Sequence, residues 1–106
     1  MADFSASQSF QTLGLCAQLK ATDTSDYVNN TQHYTEANIE SKKFTFRDSG
    51  GNIIKQEIVA ANVYQSIVNI SLLTFNVSCQ LDIKIKGDNT LGYSAYNAFT
   101  VPCIGI

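Results

Sequence analysis

His33 is the only imidazole in the chain, so a Ser, Thr or Cys nucleophile would have to use it as base, with a carboxylate to orient it. It stands beside Tyr34 in a run of Asn, Gln and Thr, where a histidine ordinarily reads as a solvated polar side chain. No catalytic residue is therefore expected, and the chain reads as a non-enzyme. Asp23 and Asp26 flank Thr24 and Ser25, a spacing that could put two carboxylates on one cation. No D-x-[DN]-x-[DN]-G-x5-E loop follows, and Asp/Ser/Thr clusters more commonly close Asx-turns, so no metal site is expected. Cys16, Cys79 and Cys103 are an odd set without C-x-x-C spacing, which favours free thiols over a disulfide framework or a zinc site. Neither a G-x-x-x-x-G-K-[ST] nor a G-x-G-x-x-G pattern occurs, and no cofactor is expected.

Two recognition chemistries remain. Lys42, Lys43 and Arg47 form the one local basic group, beside Phe44 and Phe46. Alternation turns those aromatics inward, which argues against a base-stacking platform. The net charge of -2 likewise argues against a general grip on nucleic acid or on anionic lipid. Tyr27, His33 and Tyr34 could instead form a ligand platform on one loop, the feature a carbohydrate-binding or adhesive module would need.

The elements that would position these residues are strands. From Leu73 to Ile85 every odd position is apolar and every even position polar, so this stretch reads as one long strand with a dry and a wet face. Leu13, Leu15, Ala17 and Leu19 alternate in the same way on an earlier strand. Phe44 and Phe46 face inward on Lys43 to Asp48. Ser49-Gly50-Gly51-Asn52 then breaks the pattern, with glycines to supply the positive φ of a tight hairpin, and Ile53 to Val59 resumes it. Val63 to Ile70 is a further strand, and Gly87 to Thr90 a turn leading into Gly92 to Val101. Residues 22–41 read as a long polar loop ending in one helical turn capped by Thr35, with Tyr27, Tyr34 and Ile39 as apolar anchors.

Six or seven strands at spacings near ten residues, with almost no helix, predict a single all-β domain over residues 1–106. The expected architecture is an antiparallel immunoglobulin-like β-sandwich of about seven strands, with a small Greek-key barrel as the competitor. The amino terminus has neither a basic start nor a continuous apolar run, and no window approaches a membrane span. The expectation is synthesis in a cytoplasm without a signal peptide, and no membrane partner.

Charge is confined to the middle of the chain. Sixteen residues between Asp3 and Lys20, and the eighteen after Asp88, carry no charged side chain. Two readings follow: the ends complete the molecule's own core, or a neighbouring subunit covers them, since interface cores are poor in charge and rich in aromatics. On the second reading Phe4, Phe10, Phe99, Val101, Ile104 and Ile106 lie in protein contacts. The strand Ile53 to Val59 is apolar on both faces, so one face needs a cover, either the 22–41 loop or another copy.

The stretch Thr22-Asp-Thr-Ser-Asp-Tyr27 through His33-Tyr34-Thr35 to Asp48-Ser-Gly-Gly-Asn-Ile-Ile54 resembles small bacteriophage-encoded β proteins, including some of the crAss-like group. These share a "TDTSxY, polar loop, hYTxxxhxSRxhxhxDxxGNhh" arrangement. The resemblance covers about a third of the chain, departs by having Lys42 or Lys43 where Arg is usual, and carries no catalytic residue. It implies an immunoglobulin-like virion protein: an auxiliary capsid or decoration component, or else a neck or tail component, present in many copies. Its partners would then be other virion proteins, the major capsid protein among them.

Overall fold

The computed structural model describes residues 6–13, 18–30, 33–70, 76–87 and 92–100. Among the described residues there are seven strands: β1 (Gln8–Leu13), β2 (Gln18–Asp23), β3 (Ile39–Arg47), β4 (Ile53–Val59), β5 (Gln65–Asn69), β6 (Asn76–Ile85) and β7 (Gly92–Thr100). All pairings are antiparallel, and they build a three-stranded sheet in the order β1-β2-β5 and a four-stranded sheet in the order β4-β3-β6-β7. The chain crosses between sheets after β2, after β4 and after β5. This is the strand order of an immunoglobulin-like sandwich whose fourth strand sits beside the third. The two separate sheets make the architecture a sandwich rather than a closed barrel. Among the described residues no helix is long and apolar enough to cross a membrane.

β6 follows its alternation to the letter: Val77, Cys79, Leu81, Ile83 and Ile85 are buried, and the residues between them face outward. Leu73 and Phe75, the start of the predicted strand, lie outside the described residues. β3 packs alongside, with Phe44 opposite Leu81 and Phe46 opposite Cys79, and from the other sheet Leu19, Ala21 and Val68 close the core. Each such aliphatic or aromatic side chain removed from water contributes about 1.5–3 kcal/mol, so this one layer carries most of the favourable folding energy. Gln8 adds a polar tie from β1, its Nε2 donating to the carbonyls of Cys79 (2.8 Å) and Ala95 (3.0 Å).

Three local expectations need correction. The alternating run from Leu13 to Leu19 is not one strand. Leu13 ends β1 and pairs with Gln18 at the start of β2, so the run is divided between two antiparallel strands. The parity of the inward positions changes between the two strands, even in β1, where Phe10 lies opposite Ala21, and odd in β2, so Leu13, opposite Gln18, does not share the buried face of Leu19. The 22–41 loop is also shorter than expected, since β2 continues to Asp23 and β3 begins at Ile39, with a 3-10 turn over Glu36–Asn38. In the β3–β4 hairpin only Gly51 takes a positive φ, +83°. The Asp48 carboxylate does the remaining work, accepting from the N–H groups of Gly50 and Asn52, both at 2.9 Å.

Candidate functional site

Strand parity places Lys42 on the same side of β3 as Phe44 and Phe46, so the chain sends a lysine into the space between the sheets. Asp23, the last residue of β2, meets it there. Lys42 Nζ and Asp23 Oδ2 are 2.9 Å apart, and both side chains are 0% exposed. Lys42 also donates to the Val63 carbonyl at 3.1 Å, and its Nζ lies 3.6 Å from the centroid of the Tyr64 ring and 5.3 Å from that of Tyr27. The two rings meet edge to face, 6.2 Å apart. Asp23 is equally engaged, accepting from the Tyr27 hydroxyl through Oδ2 and from the Ser25 N–H through Oδ1 at 2.9 Å. The Tyr64 hydroxyl in turn donates to the Glu36 carboxylate.

Burying two charges costs several kcal/mol per ion, and only good geometry with further hydrogen bonds offsets it. Here the cluster supplies both, with cation–π contacts added. Its consequence is architectural: β2, β3, the loop after β2, the 3-10 turn and the crossing that carries Val63 and Tyr64 are joined at one point. Burial, followed by the hydrogen bond to Asp23, pushes the Tyr27 phenol above its ordinary value. The Glu36 hydrogen bond, followed by burial, pushes Tyr64 up to about 12. Because neither charged partner reaches solvent, no substrate meets this pair in the folded state, and the cluster acts as a pin between the sheets.

The loop residues expected to form a ligand platform are not brought together. Tyr27 is drawn into the buried cluster, Tyr34 packs edge to face on Tyr93 at 5.9 Å, and His33 stands exposed with φ +56°. Asn30, 1% exposed, winds the loop on itself: its Nδ2 donates to the carbonyls of Asp26 (3.2 Å) and Tyr34 (2.8 Å), and its Oδ1 accepts from Tyr34 N–H (2.8 Å). Asp23 and Asp26 do not share a cation position, since one turns inward and the other closes an Asx-turn. Asp26 accepts from the N–H groups of Val28 (2.8 Å) and Asn29 (2.9 Å), and these donors hold its carboxyl below the ordinary carboxylate value. Among the described residues no group of three or more His, Cys, Asp or Glu is placed to hold a metal ion.

Of the residues assigned to protein contacts, Phe10 and Phe99 are half-buried, pack against the core and lie 5.6 Å apart, closing the β1–β7 side of the sandwich. For these two the arrangement is that of the molecule's own interior. Phe4, Val101, Ile104 and Ile106 lie outside the described residues.

The apolar surface is elsewhere. Among the described residues β4 ends the four-stranded sheet, with β3 its one neighbour there. It leaves Ile53 (53%), Ile54 (38%) and Ile58 (71%) exposed, and the described part of the 22–41 loop does not cover them. Its inner positions hold Lys55 and Glu57, opposite Phe46 and Phe44 of β3. Ser66 Oγ donates to Glu57 at 2.7 Å, Lys55 donates to the Ile67 carbonyl, and both contacts tie β4 to β5. The two-sided character of β4 is legible in the sequence; that it forms a sheet edge is not. The inward turn of Lys42 is legible too, from its parity with Phe44 and Phe46, but residue type groups it with Lys43 and Arg47 and hides it. No protein-family model matches this chain, and no curated protein matches it in sequence.

Proposed function

We propose that the chain is a non-enzymatic structural protein of a bacteriophage virion, an auxiliary capsid or decoration component that joins the particle through the β4 edge of its four-stranded sheet. The observation that carries this reading is β4. An edge strand with unpaired backbone groups is a template for another chain, and soluble monomers usually blunt it. β4 carries one such device, the inward charges of Lys55 and Glu57, yet leaves three isoleucines exposed within six residues of the edge. The likeness of residues 22–54 to phage β-sandwich proteins supplies the kind of particle. In a many-copy shell modest contacts suffice, because linked binding events reinforce one another. The buried Asp23–Lys42 pin suits this role, as it keeps the sandwich rigid while the edge is engaged.

Quantitative mass spectrometry of purified particles of the phage that encodes the chain tests the reading. A fixed copy number per particle, retained through density-gradient purification, is the expected result. A chain abundant in infected cells but absent from the particles would refute it.

A further inference from the structure

The sequence of β4 around Gln56 is self-complementary. Reading outward from Gln56, Lys55 is matched by Glu57, Ile54 by Ile58, and Ile53 by Val59. We propose that β4 is the contact between two copies of this chain, paired antiparallel about a two-fold axis through Gln56, so that two four-stranded sheets become one continuous sheet of eight.

In that register Lys55 of one copy lies opposite Glu57 of the other, twice by symmetry. Ile54 lies opposite Ile58, also twice, and the two Gln56 side chains meet on the axis. Side chains directly opposite on neighbouring antiparallel strands have Cβ atoms about 4.5–5.5 Å apart, within reach of ion pairing and apolar packing. The faces agree as well. Lys55 and Glu57 share the inner side of the strand, while Ile54, Gln56 and Ile58 share the outer side, so no charge is set against an isoleucine. Both charged side chains keep an exposed part, 34% and 42%, while within one copy they lie 3.7 Å apart and reach to β5 at Ile67 and Ser66, so the pairing adds to contacts they already make. β4 holds neither proline nor glycine, so every residue offers an N–H and a C=O. A two-fold contact needs one patch that matches itself, and a strand whose charges invert about its centre has that property without a second gene product. Opposite charges in register also penalise a one-residue slip, which would set Lys55 against Gln56 and turn each isoleucine to the wrong face.

The inference rests on β4 being a contact edge and assigns that edge to a second copy, so the chain would enter a particle as this pair; it does not rest on which particle that is. Sedimentation equilibrium of the full chain from micromolar to millimolar concentration, with circular dichroism to verify folding, is the test. The wild type is expected to form a dimer and no higher species. Lys55→Glu should weaken it about tenfold, because like charges then face each other twice. Lys55→Glu combined with Glu57→Lys should restore it, because the swapped charges again face their opposites. A second measurement does not depend on these charged side chains. Gln56→Cys places two thiols opposite each other on the axis, at a Cα separation of about 4.5–5.5 Å that a disulfide can span. Mild oxidation should link the two copies far faster than the same substitution at the exposed Gln11 of β1. A monomer at every concentration, a double swap that fails to restore pairing, or equal cross-linking at Gln56 and Gln11 would each overturn the proposal. A dimer formed by a chain absent from particles would leave this inference standing and remove the virion reading; a particle-bound monomer would do the reverse.

Discussion

Lys42→Met is expected to lower the unfolding free energy by about 3–5 kcal/mol, measured by chemical denaturation followed by circular dichroism. The methionine fills most of the lysine's volume, so the loss is not one of packing. Asp23 remains, 5% exposed as a residue, with its charge no longer compensated and with only the Tyr27 hydroxyl and the Ser25 N–H to solvate it. A domain of this size has a net stability of about 5–15 kcal/mol, so one substitution removes a large share. Replacing both members, Lys42→Met with Asp23→Leu, should recover part of the loss, as no buried charge is then left alone. Full recovery is not expected, because Tyr27 and Ser25 lose their acceptor, at about 1–3 kcal/mol for each group left unsatisfied. A change below about 1 kcal/mol for Lys42→Met would mean that Asp23 reaches water, and the pin would not exist as described.

Cys79 gives the second large effect. Its thiol is 0% exposed between the sheets, and burial pushes it up to about 12 from an ordinary 9.0, a hydrogen bond with the Thr45 backbone opposing this in part. Near pH 8 a rise of that size lowers the thiolate fraction about a thousandfold, and the thiolate is the reactive form. In a chain carrying Cys16→Ser and Cys103→Ser, alkylation of Cys79 should be at least a thousandfold slower in the folded protein than in denaturant. Comparable rates would show that the β6 face is open to solvent. The same shift sets a pH dependence. The native thiol keeps its proton between about 9 and 12 while the unfolded chain releases it, so stability falls as pH rises through that window, by about 1.4 kcal/mol per unit. The raised Tyr27 and Tyr64 phenols act in the same direction at higher pH.

Where alternation is strict, the strands and their buried faces are readable from residue order alone. β6 is the clearest case, and β4 begins and ends at the predicted residues Ile53 and Val59. The place of the Ser49–Asn52 turn is legible too, because turn chemistry is local, although the part played by the Asp48 carboxylate is not. Pairing is not local. Nothing near Asp23 announces that it will meet Lys42, nineteen residues on and in the other sheet, so an inter-sheet ion pair reads at first as an Asx-turn residue and a surface charge. Phe10 and Phe99 show the same limit from the other side. An uncharged chain end looks alike whether its cover comes from another subunit or from its own opposite end, and here the two rings cover each other. The edge position of β4 is set by the order in which strands join, a property of the whole sheet that no window of residues contains.

Amide hydrogen exchange along residues 53–59 tests most directly whether β4 is the working edge of this molecule. In the dilute free chain the amides of β4 that point away from β3 should exchange quickly, while those of β6 stay protected. Among chains incorporated into particles, the β4 amides should become protected to a similar degree. Unchanged rapid exchange along β4 in the assembled state would contradict the account.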